Sequence, residues 1–120
     1  MDEMKLGLVE SKFADIIWNH EPLTSRTLVE LCQKELGWKK STTYTVLKKL
    51  CERGIFQNLD GTVSSVICRA DFYAMQSEKF VQETFAGSLP AFLAAFTTRK
   101  NLTPQEIQEI RSMIDSFGEV

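Results

Sequence analysis

The order of patterns in residues 24–69 constrains the fold more than any other feature of this chain. Apolar residues recur at helical spacing over 25–36, stop at Gly37-Trp38, and recur again up to Gly54. Two strand-like runs then flank Asp60-Gly61, a dipeptide that is favoured in the tight turn of a hairpin. Helix, turn, helix and hairpin in this order predict a winged helix-turn-helix.

Helices are also predicted before and after this segment. The first is predicted over about 8–19, and a later one from a capping residue, Asp71, to about Phe85. A short helix follows Gly87-Ser88, and the last helix begins within 103–106, which supplies a Thr cap, a Pro and a Glu in the required order. The predicted fold class is therefore mainly α with a small β-hairpin. The apolar stripe of the first helix, expected to be buried, is Val9, Phe13, Ile16 and Ile17.

The helix that ends at Gly54 carries two faces of different chemistry. The whole chain has a net charge of −2, but residues 38–53 contain five basic residues and one acidic residue. Hydroxyls and lysines can meet the acceptors and donors on base edges in the DNA major groove, and this favours binding to double-stranded DNA. The inner face is predicted to be Thr43, Val46, Leu47, Leu50 and Cys51, and the face that enters the groove Ser41, Thr42, Thr45, Lys48 and Lys49, joined by Lys40.

Several residues beside this face are further candidates for contact with DNA. Tyr44 has two interpretations, since it could contact a backbone phosphate or pack against the preceding helix. Arg26 lies in the first turn of that helix, where the N-terminal amides favour an anion such as a phosphate. Thr62 is a candidate for contact from the hairpin, although no Lys or Arg lies near the hairpin tip. Trp38 is expected to pack beneath the reading helix rather than to stack on DNA.

Residue types with catalytic or metal-binding chemistry are sparse. Cys32, Cys51 and Cys68 are too far apart for a paired metal clip, and each lies at an apolar position, so we expect buried free thiols. A lone histidine, His20, and the lack of a nucleophile beside a base predict no metal site, no cofactor and no enzyme activity. No apolar run approaches the length of a membrane span, so we expect a cytoplasmic protein without membrane insertion.

Residues 71–120 combine short helices with many phenylalanines. A segment of this size cannot cover such apolar faces alone, so it should pack against a second copy of itself. We predict a winged-helix DNA-binding domain over 1–70 and a helical dimerisation arm over 71–120. The residues expected at the dimer contact are Phe80, Phe85, Phe92, Phe96, Ile107, Ile110, Ile114 and Phe117.

These patterns favour a winged-helix protein that binds double-stranded DNA as a homodimer. The alternative, from another functional class, is a winged-helix module that binds proteins and not DNA. The nearly neutral charge of residues 1–70 favours this alternative, whereas the basic cluster within 38–53 opposes it.

The segment WKKSTTYTVLKKLCERG, residues 38–54, carries a resemblance to a known family. Together with the first helix and the late element 102–107, it resembles the penicillinase and methicillin-resistance repressor family (BlaI/MecI, with CopY-type relatives). The resemblance spans nearly the whole chain. It implies a homodimeric transcriptional repressor with a winged-helix domain that binds an inverted-repeat DNA operator, one recognition helix for each half-site. The genes that it implies as targets are those of antibiotic resistance or metal homeostasis. The DNA-contacting positions that it implies are Ser41, Thr42, Thr45 and Lys49.

The resemblance also implies a switch. In β-lactam-responsive members the signal is cleavage within the short helix of the arm, at a position that matches the Ala95-Phe96 bond, so a membrane sensor-protease is a candidate partner. This chain departs from the family pattern at three of these positions. Ala95 stands where those members have Asn, Ser41 where familiar members have Lys, and Lys49 where they have Arg, which replaces a rigid guanidinium fork with a point charge.

Overall fold

The structure is a computed structural model that describes residues 5–118. The helices are α1 (Leu8–His20), α2 (Ser25–Leu36), α3 (Lys40–Glu52), α4 (Arg69–Phe85), α5 (Leu89–Arg99) and α6 (Pro104–Gly118), and the strands are β1 (Leu23–Thr24), β2 (Phe56–Leu59) and β3 (Thr62–Ser65). The prediction of a mainly helical chain with a small sheet is confirmed. In this described part of the chain, no helix is long and apolar enough to cross a membrane.

Helix α2 begins and ends at signals that its own sequence carries. Thr24 Oγ1 accepts a hydrogen bond from the Thr27 N–H at 3.0 Å and caps the first turn. Gly37 follows the last turn with a φ of 69°, a left-handed conformation that favours glycine, and its N–H donates to the Gln33 carbonyl at 3.1 Å. The predicted bounds of this helix, 25–36, are confirmed.

A short strand that the sequence pattern did not predict completes the sheet. Strand β1 pairs antiparallel with β3, so the strand order is β1-β3-β2 and Leu23 lies opposite Val63. Beyond this pair, the Ser25 N–H donates to the Gly61 carbonyl at 2.8 Å. A strand of two residues is too short to show an alternating pattern, which is why sequence reasoning missed it. The hairpin is thereby joined to the beginning of α2.

The end of β3 is tied to the loop that follows α1. Glu21 Oε1 accepts hydrogen bonds from the Ser65 N–H at 2.8 Å and from Ser65 Oγ at 2.7 Å. Hydrogen bonds to an ionised carboxylate are shorter and stronger than those between neutral groups. The hairpin is therefore held at its turn by Ser25 and at its end by Glu21.

The core of the first compact unit, which extends to Glu78, surrounds Trp18. The Trp18 Nε1–H donates to the Ile67 carbonyl at 3.1 Å, and its ring centroid lies 5.3 Å from that of Phe56 and 5.6 Å from that of Phe72. The prediction that Val9 is buried is wrong, since 53% of it is exposed. Val9 lies in the first turn of α1, where Leu6, just before the helix, fills the core instead.

Helix α4 begins earlier than its predicted cap. It starts at Arg69, and the Phe72 N–H already donates to the Cys68 carbonyl at 2.9 Å. Asp71 is therefore not the capping residue but lies in the first turn, where its carboxylate favours the N-terminal end of the helix dipole. The first compact unit extends to Glu78, and within it Phe72 and the adjacent Tyr73 pack on Trp18. The division into a DNA-binding domain over 1–70 and a dimerisation arm over 71–120 stays a prediction.

The second compact unit, from Lys79 onward, holds a row of aromatic rings. Successive contacts at centroid distances between 5.7 and 6.2 Å join Phe80, Phe85, Phe92 and Phe96. Helix α6 begins with the predicted capping box: Thr103 Oγ1 accepts from the Glu106 N–H at 3.0 Å, and Glu106 Oε1 accepts from the Thr103 N–H at 2.8 Å. Neither α5 nor the described part of α6 contains a buried residue, so much apolar surface is left exposed.

The three cysteines differ in burial. Cys32 is buried, Cys51 is half-buried and Cys68 is exposed. The expectation of buried thiols is therefore wrong for Cys68, which lies in the exposed connection between β3 and α4. Among residues 5–118, no group of three or more His, Cys, Asp or Glu side chains is placed to hold a metal ion.

We expect iodoacetamide to label Cys68 first and Cys32 last when the folded protein is treated at mildly alkaline pH. Burial raises the pKa of the Cys32 thiol to about 11 and also raises the pKa of Cys51, so the reactive thiolate is scarce at both. The order of labelling is measured by stopping the reaction at successive times, digesting each sample and analysing the peptides by mass spectrometry. Similar rates at all three cysteines in urea are the control, and a native Cys32 that reacts as fast as Cys68 would contradict its burial.

Candidate nucleic-acid interface

Helix α3 is fixed to the first unit by one face. Thr43, Leu47 and Leu50 are buried, and Thr43 Oγ1 donates to the Lys39 carbonyl at 3.3 Å, which satisfies the buried hydroxyl. Val46 and Cys51 are half-buried and pack against the same core. The predicted inner face of the helix is confirmed. A helix held this firmly on one side presents its other side at a fixed angle.

The opposite face of α3 is exposed and carries short hydroxyls and lysines. Its members are the predicted DNA-reading residues Ser41, Thr42, Thr45, Lys48 and Lys49. Thr45 Oγ1 donates to the Ser41 carbonyl at 2.9 Å. The hydroxyl hydrogen of Thr45 is therefore used within the helix, whereas its oxygen can still accept a hydrogen bond, as from a base amino group. The structure brings these side chains onto one surface, and their contact with DNA stays a prediction.

Tyr44 connects the exposed face of α3 to the beginning of α2. Its hydroxyl donates to Ser25 Oγ at 3.4 Å, and Lys40 Nζ lies 6.0 Å from the centre of its ring. Of the two interpretations of Tyr44, contact with the preceding helix is present. Because 36% of Tyr44 is exposed, its hydroxyl could donate to a backbone phosphate in place of Ser25, and that contact stays a prediction.

Trp38 sets the point at which α3 begins. Its ring stacks on Phe13 of α1 with 5.5 Å between the centroids and an angle of 20° between the planes. Its backbone N–H donates to the Cys32 carbonyl at 3.3 Å. Trp38 therefore packs within the first unit, against α1, and the turn before α3 is anchored on both sides.

Arg26 and Thr62 lie on neighbouring parts of the surface. Arg26 is exposed in the first turn of α2, and Thr62 is the exposed first residue of β3. The hydrogen bond between Ser25 and Gly61 joins these two places. In the hairpin turn, Asp60 and Gly61 have φ values of 52° and 87°, and this left-handed conformation explains the glycine. The structure thus groups Arg26 and Thr62 on one side of the first unit, and their contact with DNA stays a prediction.

Lys49 has a partner that sequence reasoning missed. Its Nζ lies 3.1 Å from Oε2 of Glu10 in α1, and NH1 of Arg53 lies 3.7 Å from Oε1 of the same carboxylate. No local signal could have found this pair, because the two helices meet only in the folded chain. The hydrogen bond from the Gly7 N–H lowers the pKa of Glu10, against the effect of its partial burial, and the Lys49 ammonium lowers it further.

The predicted dimer contacts lie in the second unit and differ in exposure. Phe85, Phe92 and Ile110 are half-buried. The exposed members, with their exposed fractions, are Phe80 at 50%, Phe96 at 44%, Ile107 at 36%, Ile114 at 60% and Phe117 at 76%. Isolated exposed apolar residues are ordinary, but so many on a small helical segment are typical of a surface that packs against another molecule.

The bond between Ala95 and Phe96 lies inside helix α5. Both residues are exposed, and the helix continues beyond them to Arg99. A protease that binds an extended segment would have to unwind this part of α5 first. Cleavage at this bond, and with it the sensor-protease partner, stays a prediction.

Comparison with known proteins agrees with this geometry. A family model described as Penicillinase repressor matches residues 6–116. The methicillin resistance regulatory protein MecI of Staphylococcus aureus strain Mu50 is 22% identical over 115 residues, which cover 92% of this chain and 94% of that protein. The resemblance inferred from the sequence is confirmed. The chain belongs to the penicillinase repressor family, a family of transcriptional repressors.

Proposed function

We propose that this protein is a homodimeric repressor that binds an inverted-repeat DNA operator, with helix α3 of each copy in the major groove of one half-site. The observation that carries the proposal is the pair of opposite faces of α3. One face is buried, and its one polar side chain, Thr43, has a hydrogen-bond partner. The other face presents Ser41, Thr42, Thr45 and Lys48 to solvent. A rigidly mounted helix with a polar, basic outer face suits direct readout of base edges.

The hairpin and the start of α2 support the same proposal. They are joined by the hydrogen bond between Ser25 and Gly61, next to Arg26 and Thr62. In the proposed complex these two side chains would contact phosphates beside the groove. Such contacts position a protein on DNA and supply most of its affinity, whereas base contacts supply the specificity.

The second unit supports the homodimer. An inverted repeat has two equivalent half-sites, and a symmetric dimer places one reading helix in each. The exposed apolar residues of α5 and α6, among them Phe96, Ile114 and Phe117, would be covered by a second copy of this unit.

Titration of the full chain onto the promoter fragment upstream of its own gene, and onto a mixed-sequence duplex, tests the proposal. We expect tighter binding to the promoter, with log K falling by about 0.9 per neutralised phosphate for each log unit of salt. Lys49→Ala should weaken promoter binding by about 1–3 kcal/mol if Lys49 reads a base. If Lys49 contacts only a phosphate, both duplexes should weaken alike.

Lys34→Ala is the matched control, because Lys34 is an exposed lysine in the last turn of α2, outside the proposed interface. We expect it to bind the promoter as the unmodified protein does. Failure of the unmodified protein to bind either duplex would overturn the repressor proposal and favour a winged-helix module that binds proteins.

A further inference from the structure

An acidic side chain of α1 holds the end of a lysine on the proposed reading face. Lys49 Nζ and Glu10 Oε2 are 3.1 Å apart. The Lys49 side chain is 55% exposed and the Glu10 side chain 21% exposed. The ion pair therefore lies at the edge of the proposed reading face, and Lys49 is its more accessible member.

Glu10 is a fixed anion rather than a mobile surface charge. Its Oε1 accepts a hydrogen bond from the Gly7 N–H at 3.1 Å, in the first turn of α1, where the helix dipole favours a negative group. Arg53 lies 3.7 Å from the same oxygen and is itself held by the Lys5 carbonyl at 3.3 Å. Since Glu10 and Arg53 are both anchored, Lys49, whose side chain is the most exposed of the three, is the member of the cluster that can reach an additional partner.

The other lysines of this face differ from Lys49. Lys40 and Lys48 are exposed, and neither forms an ion pair within the described residues 5–118. Non-specific affinity for DNA depends on how many phosphates such cations neutralise. A lysine that already has a close counter-ion gains little by exchanging it for a phosphate, because the two contacts have similar Coulomb energies.

We propose that Glu10 is a specificity-determining residue. As a counter-anion within the protein, it keeps Lys49 from contacting phosphates of non-specific DNA. This inference rests on the DNA-binding function proposed above. On non-specific DNA, Lys49 stays paired with Glu10, and the other lysines supply the attraction. At the operator, the docked helix brings Lys49 to acceptors on a base edge. The ammonium has three donors and can bind there without leaving Glu10.

The test measures the salt dependence of binding to a short mixed-sequence duplex by fluorescence anisotropy. Glu10→Gln removes the counter-charge, while its remaining oxygen can still accept from the Gly7 N–H. We expect log K to fall with log salt more steeply by about 0.9 than in the control, the contribution of one additional phosphate. The control is Glu30→Gln, which removes the same charge from an exposed position on α2.

Repeating the comparison in a Lys49→Ala background tests whether Glu10 acts through Lys49. In that background, Glu10→Gln and Glu30→Gln should change the slope equally. Equal slopes in the presence of Lys49 would overturn the inference while leaving the proposed function intact, and so would a steeper slope that persists without Lys49. No salt-dependent binding by the unmodified protein would overturn both.

Discussion

A chain carrying Ile114→Lys is expected to sediment as a monomer and to bind its operator about 10²–10⁴-fold more weakly than the unmodified protein, because linked binding to a second half-site is lost. Ile114 is 60% exposed on α6, beside the exposed Phe117. A lysine there costs the folded monomer little, whereas it would place a charge inside an apolar contact between two copies. Sedimentation velocity measures the assembly state, and titration of the promoter fragment measures the affinity.

Ser112→Lys is the matched control for this prediction. Ser112 lies on the same helix and is exposed, on the side opposite the stripe formed by Ile107, Ile110 and Ile114. It adds the same charge, so it should leave both the assembly state and the operator affinity as they are. If Ile114→Lys were also dimeric, the dimer contact would have to lie elsewhere.

Phe72→Ala is expected to lower the free energy of unfolding of the first unit by about 3–5 kcal/mol, the usual cost of emptying a fully buried phenylalanine site. Phe72 has no exposed surface, and its ring lies 5.6 Å from that of Trp18 and 5.6 Å from that of Tyr73. Removing the ring leaves a cavity at the place where α4 begins. Urea unfolding followed by tryptophan fluorescence measures the change, because Trp18 and Trp38 both lie in the first unit.

Met75→Ala controls for the effect of changing α4 itself. Met75 is 41% exposed on the same helix, so its removal should change the free energy of unfolding by no more than about 0.5 kcal/mol. An equal, small change for both variants would show that Phe72 is not part of the core. The prediction also bears on fragments: a chain cut at residue 70 would lack Phe72 and would be destabilised for that reason.

Helices that carry capping signals in their own sequence could be predicted closely. Helix α2 carries a capping threonine at its start and a left-handed glycine at its end, and α6 carries its capping box within four consecutive residues. Strand β1 could not be predicted, since it depends on pairing with β3, far along the chain. The place of Phe72 in the core of the first unit could not be predicted either, because it depends on contacts with Trp18.

The candidate interface could likewise be predicted from the sequence only in part. Helical periodicity predicted which residues of α3 face the core and which face solvent, because one helix sets that pattern. It did not predict the partners of Lys49 and Tyr44, which come from α1 and α2. The residues of α3 that are proposed to contact DNA could therefore be predicted from one segment, whereas the residues that restrain them lie on other helices.

The hydrogen bonds between Glu21 and Ser65 have a consequence for the alignment of the hairpin. Strand β3 has four residues, of which only Val63 is buried, so its apolar pattern offers one side chain to fix the register. A slip by one residue would turn the buried Val63 toward solvent and would move Ser65 away from the carboxylate by about 3.4 Å, one strand residue. A slip by two residues would return Val63 to the buried side of the sheet but would still break the hydrogen bonds from Ser65 to Glu21. The register of the hairpin is thus specified partly by Glu21, a residue that lies outside the sheet.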